Sequence, residues 1–458
     1  MIRRFVKKIF NRQTAPAVQR DPAIIPVKTH GITRDMLSRG AERVCEDLER
    51  AGYRAYVVGG AVRDLLLNRD PKDFDIATNA TPEQVRRCCR RSRIIGRRFQ
   101  IVHVMVGQEL IEVTTFRALH EDASATDEHG RVLRDNTFGS QSDDAARRDF
   151  TVNALYYDPY DETIHDYHHG YADLKQRTLR MIGDPQVRYR EDPVRMLRAV
   201  RLGAKLGLDI APATRRPIRE MADLLDNVPP ARLFDEMLKL LTCGDALACL
   251  RRLRDEGLHH GVLPLLDVIL EQPLGERFVE QALTNTDERI RDGKSISPGF
   301  LFAALLWHEV LAYWNKRKAK GEIAIPALFA AMDDALDRQA EKLAITKRLV
   351  GDIKEIWSLQ PRFEQRSGKR PYALLGHPRF RAGYDFMLLR AQTGEIDIEL
   401  GDWWTKFHES DDAIQESLIA GAPKDNTPVK KRRRRSPNRR RSQTADGGND
   451  SPSDTPSE

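Results

Sequence analysis

Hydrophobic residues recur along the first third of this chain with two periods, one typical of helices and the other of strands. Apolar positions three and four residues apart predict a helix over residues 35–51. The continuous apolar run 55–58 is typical of a short buried strand, and residues 61–67 then predict a helix. Residues 74–78 predict a second strand. Strands and helices therefore alternate here, as they do in α/β domains.

Two further strands and a polar segment complete the first domain. Thr81 can cap a helix that has Pro82 in its first turn, so another helix should begin there. Residues 101–106 and 110–115 predict two strands that join at Gly107. Residues 122–142 are polar and punctuated by glycine, which predicts a mobile loop. We therefore predict an α/β head built on a mixed sheet.

Strand signals fade after about residue 181, and helical periodicity continues to about residue 408. All five tryptophans fall in this half, where they predict helix cores. From about residue 422 onward Pro, Ser, Asp, Gly and Arg dominate, which predicts disorder. The predicted divisions are a basic leader (1–33), the α/β head (34–180), an all-α neck (181–250), an all-α body that binds RNA (251–420) and a disordered basic tail (421–458).

The positive charge is concentrated near the C-terminus. The formal net charge is +7, but residues 430–441 carry nine Lys and Arg and no acid. Without those nine charges the rest of the chain has a formal net charge of −2. Such a run is typical of a disordered segment that contacts nucleic acid, and a solvated tail without a fixed partner is the alternative.

Cysteine and histidine usage favours neither a disulfide scaffold nor a structural metal site. There are five cysteines, an odd number, and no Cys-x-x-Cys pair, which favours a reducing compartment. His165, His168 and His169 fall close together, and we interpret them as a polar turn. The longest apolar run, 300–307, is far shorter than a membrane span. We expect a cytoplasmic protein, with peripheral membrane contact through the basic N-terminus as an additional option.

The candidate chemistry begins at Asp73-Phe74-Asp75. Because side chains alternate along a strand, Asp73 and Asp75 should point the same way and Phe74 should enter a core. Two neighbouring carboxylates repel one another unless a cation lies between them. Mg²⁺ binds through one or two carboxylates plus the phosphates of a substrate. The pattern predicts metal-assisted phosphoryl or nucleotidyl transfer, with Asp73 and Asp75 as catalytic metal ligands.

A useful two-metal site needs a third carboxylate, and two residues qualify. Asp149 follows Arg147 and Arg148, where it could instead form a plain salt bridge. Glu112 lies on a predicted strand whose alternation exposes it opposite its apolar neighbours. The residues alone leave this choice open.

A glycine pair precedes these carboxylates. The strand at 55–58 ends in Gly59-Gly60 and feeds a helix, which leaves backbone N–H groups where a phosphate can bind. Arg63, one turn into that helix, can reach the same phosphates. We therefore predict one pocket that holds both a triphosphate and a metal ion.

A basic stripe later in the chain suits base selection. Asp192 can cap a helix that starts at Pro193, and Arg195, Arg198 and Arg201 then recur at spacing three on one face. A carboxylate accepts from an exocyclic amine, and a guanidinium donates to a ring nitrogen. Adenine and cytosine both match such a pair, whereas guanine and uracil present a carbonyl and an N–H there. The pair therefore does not separate ATP from CTP.

These segments, together with 147–154 and 191–201, occur in the order seen in the family that joins tRNA CCA-adding enzymes with bacterial poly(A) polymerases, which the chain resembles over residues 40–250. The resemblance implies a nucleotidyltransferase head, a helical neck and a helical body. It implies that Asp73 and Asp75 hold Mg²⁺ and that Asp149 is catalytic. Leu202 stands where an aromatic residue commonly ends the last motif. The positions to which the resemblance gives a role toward the nucleotide are Gly60, Arg63, Arg148, Asp192 and Arg195. We expect Arg198 and Arg201 to support Asp192 and Arg195 in selecting the base.

The polar segment 122–142, the stretch 94–103 and the basic ends of the chain resemble the poly(A) polymerase branch. The predicted activity is template-independent addition of AMP from ATP to RNA 3′ ends, with RNA-decay proteins as candidate partners. The alternatives are a CCA-adding enzyme and a non-catalytic RNA-binding protein on the same scaffold.

Overall fold

The structure is a computed structural model that describes residues 21–96, 100–118 and 137–422. Four regions named above therefore lie wholly or partly outside the described residues: most of the basic leader, residues 97–99 of the stretch 94–103, most of the segment 122–142 and the basic tail. Across the described ranges, every helix is too short or too polar to span a lipid bilayer.

The head is built on a mixed sheet whose strands follow the order β1-β8-β7-β2-β3-β6-β5-β4. Neighbouring strands are antiparallel except β3 and β6, which are parallel. The strands are Ala23–Pro26 (β1), Ala55–Val58 (β2), Asp75–Thr78 (β3), Ser92–Ile95 (β4), Ile101–Val106 (β5), Glu109–Thr115 (β6), Leu155–Asp158 (β7) and Thr163–Asp166 (β8). A separate parallel pair, Thr178–Leu179 (β9) and Asp209–Ile210 (β10), joins the head to the neck.

Short helices flank the sheet and are capped as their sequences predict. The helices of the head are Val27–His30 (α1), Arg39–Arg50 (α2), Gly60–Leu66 (α3), Pro82–Cys88 (α4), Gln141–Arg147 (α5) and Gly170–Lys175 (α6). Thr81 and Ser140 each begin a reciprocal capping box, at α4 and α5 respectively. One apolar core includes α2 and one face of the sheet, with Val57 and Ile76 at its centre. The opposite face carries a smaller aromatic core and the cavity described below.

The rest of the described chain is almost entirely helical. The helices are Pro185–Glu191 (α7), Val194–Leu206 (α8), Pro212–Glu220 (α9), Pro230–Leu241 (α10), Ala246–Asp255 (α11), Leu266–Leu270 (α12), Gly275–Arg291 (α13), Pro298–Ala319 (α14), Ala324–Ala340 (α15), Lys347–Phe363 (α16), Arg370–Leu375 (α17), Phe380–Gln392 (α18), Ile398–Glu409 (α19) and Asp412–Gly421 (α20). A large core is continuous from the neck into the body, and a second core closes the C-terminal end around Trp404. The predicted architecture, a mixed-sheet head followed by helices, is confirmed.

Several elements differ from the sequence expectation. Part of the predicted leader forms β1, which pairs with β8 on the edge of the sheet. The segment 122–142 ends in helix α5 rather than in a loop, because Ser140 caps it. Strands β4, β7 and β8 carry no clear periodic signal. Strand β3 begins at Asp75, one residue later than predicted, because its partner β2 ends at Val58 directly opposite Asp75.

Candidate active site

A cavity of about 440 Å³ lies between the head sheet and helix α8. The sheet side contributes β3, β6 and the turn before α3, while the neck contributes the start and middle of α8. It brings together every predicted nucleotide-binding residue and two of the three predicted catalytic carboxylates: Gly59, Gly60, Arg63, Arg148, Asp192, Arg195, Arg198, Arg201, Asp75 and Asp149.

The acidic side of the cavity centres on Asp75. Asp75 is paired in register with Glu112 on the parallel strand β6, so both side chains leave the same face of the sheet. Asp73 lies two residues before β3, is exposed and is not among the residues that line the cavity. The alternation argument therefore does not reach Asp73, although Phe74 does enter the core on the other face.

Negative charge is under-compensated on this side. Burial raises the pKa of Asp75 to about 6, and the nearby charges of Glu112 and Asp73 add to the increase while Arg148 opposes it. Glu112 also contacts His103, with Oε1 3.2 Å from Nε2. Hard oxygen ligands with unbalanced negative charge fit a divalent cation, which would favour the ionised form of Asp75.

The glycine turn places backbone close to an arginine. Gly59 has φ +70°, and a Cβ at this position would lie 3.3 Å from Nη1 of Arg148. Arg63 is buried in the adjoining helix α3, where its Nη1 donates to Asn153 Oδ1 at 2.6 Å and its Nε donates to Asp64 Oδ1 at 2.8 Å. Both the turn and the guanidinium are thus held in place before any substrate binds.

Arg148 is fixed by a buried network. Its Nε donates to the Tyr156 hydroxyl at 2.9 Å and its Nη2 donates to Asp144 Oδ2 at 3.1 Å. The Tyr156 hydroxyl donates to the same Asp144 oxygen at 2.6 Å. Burial lowers the pKa of Arg148, but its contacts with Tyr156 and Asp144 outweigh this and raise the pKa overall. Arg148 therefore stays charged.

Positive charge accumulates beside this network. Arg147 lines the cavity, and burial lowers its pKa to about 9, to which the positive charges of Arg117, Arg148, Arg188 and Arg195 contribute. A buried concentration of like charge of this kind favours the binding of an anion such as a polyphosphate.

Asp149 is held within hydrogen bonds and an ion pair. Its Oδ1 accepts from the Phe150 N–H at 2.7 Å and from Asn153 Nδ2 at 3.1 Å, while Oδ2 lies 2.8 Å from Nη2 of Arg198. Burial opposes ionisation of Asp149, but Arg198 and these hydrogen bonds lower its pKa overall. In this structure Asp149 positions Arg198.

The start of α8 differs from the predicted cap. Pro193 occupies the N-cap position and no side chain caps the helix. Asp192 instead accepts from Arg232 of α10, whose Nη2 lies 2.8 Å from Oδ2. Oδ1 of Asp192 is buried and has no hydrogen-bond partner among the described residues. The cap fails because the Asp192 carboxylate turns toward the charge of Arg232.

The stripe on α8 is present as predicted. Arg195, Arg198 and Arg201 all line the cavity, and the neighbouring apolar positions Val194 and Leu197 are buried. Arg195 Nη1 donates to the Arg188 carbonyl oxygen at 2.8 Å and to Glu191 Oε2 at 3.0 Å. These bonds engage one guanidinium nitrogen, and the group has further N–H donors.

Sequence reasoning missed Arg232, Asp144, Asn153 and Arg147. Arg232 is 40 residues from Asp192, and no local pattern links them. Asp144 could have been found through the capping box at Ser140, which marks α5 and places Asp144 one turn before Arg148. Arg147 and Asn153 lie in the segment 147–154, in which we predicted roles only for Arg148 and Asp149.

The histidine cluster is not a metal site within the described ranges. His165 lies on β8, where burial lowers its pKa, and His169 precedes α6 with φ +60°. The one group of three or more described residues whose atoms lie close enough to hold a metal ion is His259, His260 and Asp267, in the body.

Three family models match the chain. “Poly A polymerase head domain” matches residues 55–180, “Probable RNA and SrmB- binding site of polymerase A” matches 207–270, and “Polymerase A arginine-rich C-terminus” matches 320–441. Poly(A) polymerase I of Salmonella typhimurium is 44% identical over 460 residues, which cover 97% of this chain and 98% of that protein. Poly(A) polymerase I of Haemophilus influenzae is 45% identical over 410 residues, or 87% of this chain and 91% of that protein.

CCA-adding enzymes are more distant. That of Levilactobacillus brevis is 40% identical over 202 residues, 44% of this chain and 50% of that protein. The solved structure of the Bacillus stearothermophilus CCA-adding enzyme in complex with CTP aligns with a TM-score of 0.53 at 27% identity, covering 83% of this chain and 82% of that one. Because poly(A) polymerases are 44% identical to it over nearly its full length, the chain belongs to the bacterial poly(A) polymerase family.

Proposed function

We propose that this enzyme extends RNA 3′ ends with AMP from ATP, releases pyrophosphate and needs no template. The observation that carries the proposal is the Asp192 carboxylate, which is oriented by Arg232 through Oδ2 and leaves Oδ1 buried without a partner among the described residues. A buried acceptor without a donor is costly, so it favours a ligand that supplies one. The cavity that holds Asp192 also holds Asp75.

Base selection follows from this acceptor and from Arg195. Oδ1 of Asp192 would accept from the exocyclic amine of adenine, and a remaining N–H of Arg195 would donate to the adjacent ring nitrogen. Guanine and uracil present the opposite groups, so each would leave two buried mismatches. Cytosine satisfies both contacts. The match to a poly(A) polymerase covers 97% of the chain, whereas the match to a CCA-adding enzyme covers 44%. This difference supports ATP as the substrate.

The arginines of the cavity bind the triphosphate. Arg147 and Arg148 supply positive charge on one side of the cavity, and Arg63 is held beside the glycine turn by Asn153. Asp149 keeps Arg198 directed along the same cavity. These side chains are fixed by hydrogen bonds before the substrate arrives, so little reorganisation is required when charge develops on the transferred phosphate.

A divalent metal is the cofactor, and we propose that it is Mg²⁺. Asp75 and Asp73 would hold it, with Glu112 as a further ligand candidate beside Asp75. When bound, Mg²⁺ assists the 3′-hydroxyl as a nucleophile and stabilises the leaving pyrophosphate. The unbalanced negative charge at Asp75 is the feature of this chain that fits it.

One assay tests the function. Purified protein with Mg²⁺ receives labelled ATP or CTP and either a generic RNA or tRNA that lacks its last nucleotides. We expect long tails from ATP on generic RNA. Incorporation of CTP that stops after two residues on tRNA would instead identify a CCA-adding enzyme. RNA binding without incorporation of any nucleotide would identify a non-catalytic scaffold.

We also propose that the basic run 430–441, outside the described residues, contacts the RNA backbone. Deleting it should weaken RNA binding and flatten the dependence of affinity on salt, because fewer counterions are released. Turnover on saturating RNA should change little, and an unchanged slope would contradict the role. We propose RNA-decay proteins as partners, and the match over 207–270 to a model described as a probable RNA and SrmB-binding site supports contact with RNA and with a protein there. We propose the cytoplasm as the compartment, with the basic N-terminus as an additional membrane contact, and fractionation of cells expressing the protein would test both.

A further inference from the structure

Two cysteines lie side by side in the neck, where the proposed function gives them no role. Cys243 follows α10 and Cys249 lies within α11, and their sulphur atoms are 3.5 Å apart. Both thiols are free. Cys243 is partly exposed, whereas Cys249 is buried. The pair therefore consists of one accessible thiol and one buried thiol.

The connection between the two helices is rigid. Gly244 adopts φ +90°, which turns the chain directly after Cys243. The Asp287 carboxylate of α13 accepts from the N–H groups of Ala246 at 2.8 Å and Leu247 at 3.3 Å, which fixes the start of α11. The contact between the sulphurs is thus built into the packing of three helices.

We propose that Cys243 and Cys249 form a site of reversible oxidation, in which the two thiols close to a disulfide when a two-electron oxidant such as a peroxide is present. Redox-sensitive cysteines are accessible, acidic and next to a resolving thiol. Cys243 fits this description because its contacts with the Cys249 thiol and with the backbone N–H of Asp245 lower its pKa, although burial opposes them. The pKa of Cys249 is raised, so it remains a thiol that can resolve.

The chemistry balances with hydrogen peroxide as the oxidant. The Cys243 thiolate attacks one peroxide oxygen, the O–O bond breaks, and the hydroxide that leaves takes up a proton to give water. Cys243 is then a sulfenic acid. Cys249 loses its proton and attacks that sulphur, the S–S bond forms, and the S–O bond breaks. The departing hydroxide takes the proton and leaves as a second water.

The site is linked to the nucleotide cavity through α8. The Cys249 sulphur lies 3.9 Å from the carbonyl oxygen of Arg201, and the side chain of Arg201 lines the cavity. Movement of the Cys249 sulphur toward Cys243 removes that contact. We expect a severalfold increase in KM for ATP in the oxidised protein, with a smaller change in kcat. This second readout rests on the proposed function, whereas the mass measurement below is independent of it.

The test uses the full chain, which is treated with a small molar excess of hydrogen peroxide, denatured in iodoacetamide and digested with trypsin. Both cysteines fall in the single tryptic peptide 240–251. We expect this peptide to lose the mass of two hydrogens and to carry no alkyl group, and dithiothreitol should restore two alkylation sites. Alkylation of both cysteines after peroxide treatment, or a sulfinic acid on Cys243 beside an alkylated Cys249, would overturn the proposal.

Three variants sharpen the result. Cys249→Ser should leave a sulfenic acid on Cys243 that dimedone traps, and Cys243→Ser should leave Cys249 reduced. Cys88→Ser is the matched control, because Cys88 is also partly exposed but burial raises its pKa. It should form the disulfide of peptide 240–251 as readily as the wild type does. Equal dimedone labelling of Cys88 and Cys243 in the Cys249→Ser variant would contradict the special reactivity of Cys243.

Discussion

The two sides of the candidate active site carry opposite charges and share one electrostatic condition. On the sheet side, burial raises the pKa of the Asp75 carboxyl group to about 6, with help from Glu112 and Asp73. On the side of Arg147, burial lowers the pKa of its guanidinium group to about 9, with help from four other arginines. In both places the charged form is disfavoured by burial and by charge of the same sign.

The comparison indicates that substrate binding would lower an electrostatic cost on each side of the site. A cation on the acidic side would relieve the repulsion around Asp75, and a polyphosphate on the basic side would relieve the repulsion among the arginines. A metal-bound nucleoside triphosphate carries both. Elsewhere in the cavity charges are already paired, as Asp149 is with Arg198, so those groups contribute orientation. The predictions below separate these two kinds of contribution.

The largest effect is expected on the acidic side. Replacing Asp75 with Asn should lower kcat about 10²- to 10³-fold, because it removes an electrostatic contribution made in the transition state. Nucleotide binding should largely survive, since the arginines are unchanged. Single-turnover kinetics with labelled ATP measures both quantities.

The same measurement on Asp73→Asn decides the role of an exposed residue that does not line the cavity. A loss comparable to that of Asp75→Asn would make Asp73 a metal ligand, while near-normal turnover would reject that assignment. Asp70→Asn, an exposed position three residues upstream, is the matched control and should be unaffected.

The next effect is expected at Asp192, where a substitution should impair selection of the base. Asp192→Asn replaces half of the acceptor with an N–H donor, so kcat/KM for ATP should fall about 10- to 100-fold, as expected for a hydrogen bond to a charged group. Discrimination against GTP should fall at the same time. Competition between ATP and GTP in one reaction measures the ratio.

Arg232→Gln should have a smaller effect in the same direction, because Arg232 contacts only Asp192 in this site. The double variant should cost less than the sum of the two single variants, since the residues form one unit. Additive costs would show that Arg232 does not orient Asp192.

A moderate effect is expected on the basic side. Arg147→Gln removes one positive charge from the crowded group, so KM for ATP should rise about 10-fold, whereas kcat changes little. Direct binding of ATP followed by calorimetry measures the loss. Lys205→Gln, a cationic position at the other end of α8 in the same cavity, provides a comparison. Equal losses at both positions would contradict a special role for the crowded arginines.

The last effect concerns stability rather than activity. The raised pKa of Asp75 means that the folded protein binds its proton more tightly than the unfolded chain does. The associated stabilisation is therefore complete below about pH 4 and is lost as the pH rises through about 6. At pH 7.5 Asp75→Asn should be more stable than the wild type by about 2 kcal/mol without metal, and the difference should shrink toward pH 4.

Mg²⁺ supplies an independent readout of the same carboxylate. It should raise the melting temperature of the wild type and leave that of Asp75→Asn unchanged, because bound metal stabilises only the folded state. Equal stabilisation of both proteins would place the metal elsewhere. The group His259, His260 and Asp267 is the alternative location that the structure offers.

Local patterns predicted the elements that depend on local contacts. The apolar run 55–58 coincides with strand β2, which is buried on both faces of the sheet, and residues 101–106 coincide with strand β5, whose more and less buried positions alternate. Each pattern follows from the local periodicity of its element. The arginine stripe of α8 was visible for the same reason, since spacing three fixes one helix face. Of these elements, α8 reaches the cavity as expected, through Arg195, Arg198 and Arg201.

The remaining features depend on contacts between distant parts of the chain. Asp192 could cap α8 on sequence grounds, but Arg232 of α10 competes for its carboxylate and wins. The position of Asp73 outside β3 depends on where the partner strand β2 ends. Neither effect leaves a periodic signal, because each depends on a contact between residues that are distant in the sequence.

Strand β1 has a practical consequence for anyone who shortens this protein. It pairs with β8 through residues 23–26, and it is the last strand at that border of the sheet. A truncated version that starts at the family-model boundary near residue 55 would lack β1 and leave backbone N–H and C=O groups of β8 unpaired. An exposed strand edge of this kind can pair with other chains and promote aggregation. Expression trials should therefore begin upstream of Ala23, and a shorter product is expected to aggregate.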